Sequence, residues 1–410
     1  MLNQTFSKNE LAKVLKKGDG RKYNLWTDPD NKDEDLKKYA ESICEKDYGI
    51  SHILKQYRKQ KPVFVIDPLR GGVDYLAIRK VDRNLRSIYK VKQADRASIV
   101  RQLLTILTDG SPMYLLKLDI KSFYESIDPS SLLDKIKVDQ LVSKKTEMIL
   151  QSLFVHPLIN SLSGLPRGLP VSATFSELYM RSIDRKIRNS PGVYFYSRFV
   201  DDIVIIGFDK KDVMLGNVKG ILQDSHLFLN PKKQEDDIQL NGRRVSTFSY
   251  LGYKFSIQRK NNENILYNFI SVSIADSKLT KIKKRIIKAF LDYFRNTDFP
   301  LLKNRLKFLT GNCAIDITPN GNLMVGNYYN YPELTDVSVL RELDRFLFSL
   351  LFWENGYVGR KIISVLTKRQ ILKLAKYSFV KGYDTGNGEP MIFYFSQRQI
   401  NNLTRCWKYE

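Results

Sequence analysis

The sequence predicts an α+β protein, and three observations carry that prediction. Residues 193–199 and 203–208 are runs of β-branched and aromatic residues interrupted by Asp201 and Asp202, the pattern of paired strands that turn back at an acidic pair. Residues 114–119 form another apolar run, and it ends in Asp119. From Ser277 onward the pattern changes to long helical periodicity with dense positive charge. At 410 residues and 43% hydrophobic composition, the chain can bury a large core in two or three subdomains.

Taken in order, residues 1–60 are rich in charge, with one helical piece around 35–46, and read as an N-terminal extension. Short strands are expected at 62–68, 75–80 and 85–90, joined by turns such as Arg70-Gly71-Gly72. Arg79, Lys80, Arg86, Lys90 and Lys92 recur closely along them. They suit a grip on a triphosphate or a template backbone, or else the solvent side of strands. A helix over 94–107 precedes the 114–119 strand, and a helix over 129–153 follows it. Two Gly and two Pro break the pattern at Gly164, Pro166, Gly168 and Pro170 before a helix over 171–187. A Gly-rich turn ahead of a helix lets the backbone approach a ligand closely. Beyond the acidic hairpin come a helix over 213–222, a strand, turn and strand over 245–255, and helices over 279–294, 301–309, 339–353 and 361–377.

Lys and Arg total 67 against 44 acidic residues, a formal charge of +23. That excess points to a polyanionic partner, nucleic acid before an acidic membrane surface. The 23 Tyr and 22 Phe serve either a core or base stacking. Three Cys and three His are scattered without metal-ligand spacing, which argues against a zinc site or a disulfide framework. With no apolar leader core and no apolar run long enough to span a bilayer, a cytoplasmic location is expected and a membrane partner is not.

Two adjacent carboxylates at the end of apolar strands are costly unless a cation sits there. Oxygen-only ligands favour Mg²⁺ or Mn²⁺. An exposed hairpin can also carry Asp-Asp at its tip, so the acidic pair alone does not establish a site.

The order of several segments decides between these readings. Leu118-Asp119-Ile-Lys-Ser-Phe-Tyr124, Gly164-Leu-Pro-Arg-Gly168, Phe199-Val-Asp201-Asp202, Asn230-Pro-Lys232-Lys233 and Tyr250-Leu-Gly252-Tyr253 follow one another. Together with Arg86-Ser-Ile88 upstream, they resemble the motif series of the reverse transcriptases over roughly residues 60–300. The S-F-Y-E-S-I continuation and the F-V-D-D box look most like the bacterial abortive-infection and other defence-associated members. The opening residues and the helical tail are similar to the smaller polymerase of the type 3 defence systems. Arg167 stands where the family usually has Gln, and Phe199 where it usually has Tyr.

That resemblance implies a right-hand polymerase: residues 1–60 an extension, 61–113 and 129–170 fingers, 114–128 and 171–258 palm, 259–410 a helical thumb and C-terminal region. It implies a site in which Asp119, Asp201 and Asp202, with the Ile120 carbonyl, hold Mg²⁺ or Mn²⁺. Arg79, Arg86, Tyr124, Gly168 and Lys232 would contact the nucleotide, with Tyr124 beneath the incoming sugar. Lys281, Lys284 and Lys288 on the basic helix would grip a nucleic-acid backbone, or else form an ordinary solvated face. The implied partners are an RNA template, structured and non-coding, a DNA product, and a second polymerase subunit in an oligomer. An RNA-dependent RNA polymerase and a silent RNA-binding scaffold are the alternatives; the intact acidic cluster argues against the scaffold.

Overall fold

A computed structural model describes residues 2–16, 18–26, 28–58, 60–109, 111, 113–231, 235–239, 245–262, 265–318, 321–354 and 356–407. It is an α+β structure whose chain divides into two compact units, Met1–Asp95 with Pro112–Gln239, and Arg96–Ser111 with Leu240–Glu410.

In the first unit, β1 (Ile53–Arg58) and β2 (Lys61–Ile66) form an antiparallel pair. The main sheet has β3 (Tyr114–Asp119), β4 (Val193–Phe199), β5 (Asp202–Gly207) and β6 (Glu235–Gln239) in the order β4-β5-β3-β6, all antiparallel. Ile203 to Ile206 of β5 are fully buried, as expected of an internal strand. Helices Gly72–Ile88 and Pro170–Arg188 pack against each other.

The first of those helices corrects the expectation of strands at 75–80 and 85–90. Ile78, Val81 and Leu85 recur at helical spacing and are all buried, so the 3.6-residue period outweighs the short β-like runs. The helix expected over 129–153 is two helices, Pro129–Asp139 and Lys144–Val155. Gln140 adopts a left-handed φ of +50° at the break, and Ser143 caps the second helix.

Burial also gives the N-terminal extension a role. Lys80 is wholly buried, with its ammonium 2.7 Å from Glu10 and 2.8 Å from the Asn3 carbonyl, so it is not available to grip a phosphate. Hydrogen bonds from Lys13 and Lys80 pull the Glu10 carboxyl down to about 2 from the ordinary 4.5. A carboxylate with a lowered pKa adds stability above its unfolded value, and that stability is lost as pH falls toward the folded value. Glu10→Ala is therefore expected to cost about 3–5 kcal/mol at pH 7, because it strands a buried ammonium. The deficit should shrink between pH 4.5 and 2. Urea unfolding at pH 7 and in acid measures both effects.

In the second unit, β7 (Ser246–Tyr250), β8 (Tyr253–Asn262) and β9 (Ile265–Ile274) form an antiparallel meander. The helix Arg96–Leu107 belongs here, and buried Asn268 donates to the carbonyls of Leu107, its last residue, and of Asp109 just beyond it. The helix Asp276–Asn296 buries Leu279, Ile286, Ala289, Phe290 and Tyr293 on one face. The tail departs from the expected run of helices. It contains a small sheet of β10 (Asn312–Thr318), β11 (Gly321–Gly326) and β12 (Ile392–Phe393) in the order β11-β10-β12. The helix expected over 361–377 is likewise split into Gly356–Val365 and Lys368–Leu374, because Thr367 and Gln370 form a capping box between them.

Candidate active site

The acidic residues meet at the end of the first unit's sheet. Asp119 is the last residue of β3 and lies directly opposite Asp202, the first residue of β5; Phe199 of β4 faces Asp202 from the other side. The Ile120 N–H donates to the Asp201 carbonyl at 3.0 Å, which ties the turn to the end of β3. The N–H and C=O of an extended residue lie on the same edge, so the Ile120 carbonyl faces the acidic turn. Asp119 is buried, with its carboxylate accepting from Asn230 Nδ2 at 3.0 Å and its carbonyl from the Asn230 N–H at 2.7 Å. Like charges directly opposite on neighbouring strands are destabilising, so this register is one that a cation would relieve.

The turn itself is braced from below. Val200, between Phe199 and Asp201, has a left-handed φ of +60°, which a β-branched residue adopts only when its surroundings impose it. Arg198 supplies that constraint. Its side chain is 4% exposed, and it donates to Asp184 through Nε and Nη2 at 2.8 and 2.9 Å, to Glu177 through Nη2 at 2.8 Å, and to the Val200 carbonyl at 2.9 Å. Burial works against the guanidinium charge, but the two carboxylates outweigh it and raise the pKa above the ordinary arginine value.

Tyr124 lies five residues beyond Asp119, in a 3₁₀ turn rather than on a strand, and is half-buried. Burial pushes its phenol up; a hydrogen bond from Ser176 and the Arg167 charge oppose this, while the Glu177 and Asp201 charges add to the rise. The neighbouring Phe123 is 1% exposed and is the core residue of the two. The Gly-rich turn folds over Tyr124: the Leu165 N–H donates to the Tyr124 carbonyl at 2.8 Å. A Cβ on Gly164 would stand 2.5 Å from the Tyr124 and Glu125 carbonyl oxygens. Gly168 has φ +101°, and its close approach is to the Phe64 carbonyl of β2.

Residues 53–255 match the family model for the reverse transcriptase (RNA-dependent DNA polymerase). This segment is a reverse transcriptase domain. Asp119, Asp201, Asp202 and Tyr124 all lie within that segment. Among solved structures, the chain is similar to an apo telomerase from Candida tropicalis truncated from its C-terminal domain, at 16% identity and a TM-score of 0.35, over 50% of this chain and 53% of that one. It is also similar to telomerase from Candida albicans in complex with a TWJ fragment of telomeric RNA, at 10% identity and a TM-score of 0.37, over 90% of this chain and 64% of that one. The chain thus spans between half and two thirds of those telomerase chains. None of the curated proteins matches it.

The reverse transcriptase domain brings Asp119, Ile120, Asp201, Asp202 and Tyr124 together. Arg79 and Gly168 line one cavity of about 230 Å³ with Tyr23, Arg58 and Tyr75. Arg79 is already engaged there, pairing with Asp19 at 3.0 Å and hydrogen-bonding the Tyr75 hydroxyl. Arg86 lies in the same helix, 4.0 Å from Asp82, and borders a shallower hollow with Arg79, Arg83 and Lys13. Lys232 and Lys233 lie outside the described residues. Lys281, Lys284 and Lys288 belong to the second unit, on the Asp276–Asn296 helix; Lys284 is exposed and the other two are partly so. Asn230 and Arg198 went unassigned in the sequence. The signal for Asn230 is its place in the Asn-Pro-Lys-Lys motif, and for Arg198 it is a lone charge inside an apolar strand.

Among the described residues, no three His, Cys, Asp or Glu side chains gather into a metal cage. The donor set nevertheless suits Mg²⁺, which is usually held by one or two carboxylates together with water and substrate phosphates. The carboxylates at the end of β3 and β5 are hard oxygen ligands of that kind.

Proposed function

We propose that this chain is an RNA-directed DNA polymerase of a bacterial antiviral defence system, copying a structured non-coding RNA. The observation that carries the polymerase reading is the register of Asp119 against Asp202 beside Asp201, with the Tyr124 turn next to them. In the reaction, the primer hydroxyl attacks the α-phosphate of a deoxynucleotide and pyrophosphate leaves. Bound Mg²⁺, or Mn²⁺, supplies charge stabilisation to the attacking and leaving oxygens. Asp119, Asp201, Asp202 and the Ile120 carbonyl would hold it. Asn230 orients the Asp119 carboxylate, Arg198 holds the turn that presents Asp201, and the Tyr124 ring occupies the space of a ribose 2′-hydroxyl.

The net charge of +23 supports a nucleic-acid partner, and the basic face of Lys281, Lys284 and Lys288 supports a backbone contact in the second unit. No helix among the described residues is long and apolar enough to cross a membrane. Assembly with a second polymerase subunit and a cytoplasmic site of action complete the proposal. The second subunit rests on the resemblance to defence-associated members, and the cytoplasmic site on the few, scattered cysteines.

Sugar choice tests the reading. Tyr124→Ala is expected to lower the preference for deoxynucleotides over ribonucleotides by about 10- to 200-fold, the equivalent of about 1–3 kcal/mol. Single-nucleotide incorporation with each dNTP and its ribonucleotide measures it. An unmodified enzyme that already prefers ribonucleotides would support an RNA polymerase instead. Recovery and sequencing of RNA bound to the protein from its own operon tests the template; the absence of any discrete RNA would count against a non-coding template.

A further inference from the structure

Beside the acidic turn lies a charged pair that the proposed chemistry does not use. The Glu125 carboxylate accepts two parallel hydrogen bonds from Arg167, Nε at 2.6 Å and Nη2 at 2.8 Å. Such a two-pronged pairing fixes the plane of the guanidinium as well as its place. That guanidinium lies over the Tyr124 ring, 5.2 Å from its centroid, and Phe123 meets the ring edge-on at 5.4 Å.

The backbones of the participants are tied as well. The Arg167 carbonyl accepts from the Phe64 N–H of β2 at 2.7 Å, and the Leu165 N–H holds the Tyr124 carbonyl. The Arg167 backbone is thereby anchored to the β1–β2 pair, and its guanidinium is held over the ring by Glu125. Glu125 and Arg167 are 38% and 26% exposed, so their pairing adds little to global stability. Its geometry is nevertheless specific: one carboxylate fixes one guanidinium plane, and that plane covers one ring.

We infer that the Glu125–Arg167 pair is a clasp that sets the position of the Tyr124 ring, which makes both residues positioning residues for the choice of sugar. The inference rests on the reading of Tyr124 as the sugar gate. Arginine is suited to this work because its planar fork both pairs two-pronged with a carboxylate and stacks flat on an aromatic face; a lysine ammonium is a point charge that fixes no plane.

The test is a double-mutant cycle on the full chain, read as the ratio of kcat/KM for a deoxynucleotide to that for its ribonucleotide. Glu125→Gln keeps the size and removes the charge; Arg167→Lys keeps the charge and removes the plane. Each is expected to lower the ratio several-fold with an unchanged melting temperature. In a Tyr124→Ala background, Glu125→Gln is expected to leave the ratio where Tyr124→Ala put it, because no ring remains to be held. The clasp alone is overturned if Tyr124→Ala lowers the ratio while Glu125→Gln does not, or if the two effects add in full. A Tyr124→Ala enzyme with an undiminished ratio overturns the gate reading and the clasp with it.

Discussion

Asp201→Asn is expected to reduce nucleotide incorporation by on the order of 10³-fold or more while leaving the fold intact. Charge stabilisation at a metal-assisted phosphoryl-transfer site is worth several kcal/mol, and each 1.36 kcal/mol is tenfold in rate. The fold should tolerate the change for a local reason. The link between the turn and β3 runs through the Asp201 carbonyl, which accepts from the Ile120 N–H and is untouched by the substitution. One negative charge fewer beside Asp119 and Asp202 also relieves repulsion across the register. A primer-extension assay in Mg²⁺, paired with circular dichroism, separates the two effects. Incorporation at the unmodified rate would remove Asp201 from the site.

Arg198→Met is expected to cost about 3–5 kcal/mol of stability, the usual penalty for removing one partner of a buried ion pair. Methionine fills much of the same volume, so the loss comes from Asp184 and Glu177 left without their guanidinium. Incorporation should fall further than the stability loss alone explains. The Val200 carbonyl also loses its donor, and Val200 is then free to leave the left-handed conformation that aims Asp201 and Asp202. Denaturant unfolding gives the first number, and incorporation measured at a temperature where the variant remains folded gives the second. A variant with lowered stability but full activity per folded molecule would reduce Arg198 to a packing role.

The strands of the site were legible because each obeys one local rule. Runs of β-branched and aromatic residues between turn signals predicted strands at 114–119, 193–199 and 203–208, and β3, β4 and β5 are found there. Strands are expected at 75–80 and 85–90 in place of the helix Gly72–Ile88 because its buried positions include Tyr75 and Ile78, residues that favour strands when only a few positions are inspected. The breaks at Gln140 and Thr367 were missed because apolar periodicity continues on both sides of them. The small sheet of β10, β11 and β12 was missed because two of its strands sit in a charged tail and the third comes about 66 residues later in the sequence.

What the sequence by itself determined is the chemistry on offer: carboxylates at strand ends, an aromatic five residues after the first, a glycine-rich turn and a large positive charge. These follow from residue type and spacing, which are local properties. Only the tertiary structure decided which charges are available and which are consumed. Arg79 pairs with Asp19, Lys80 is buried against Glu10, and Arg198 is enclosed by Asp184 and Glu177, though nothing in their spacing separates them from a phosphate-binding lysine or arginine. The pairs that settle their roles lie 60, 70, 21 and 14 residues apart in the chain. A charge taken out of water must find its partner wherever the packed chain places one, and that place is set by the fold as a whole.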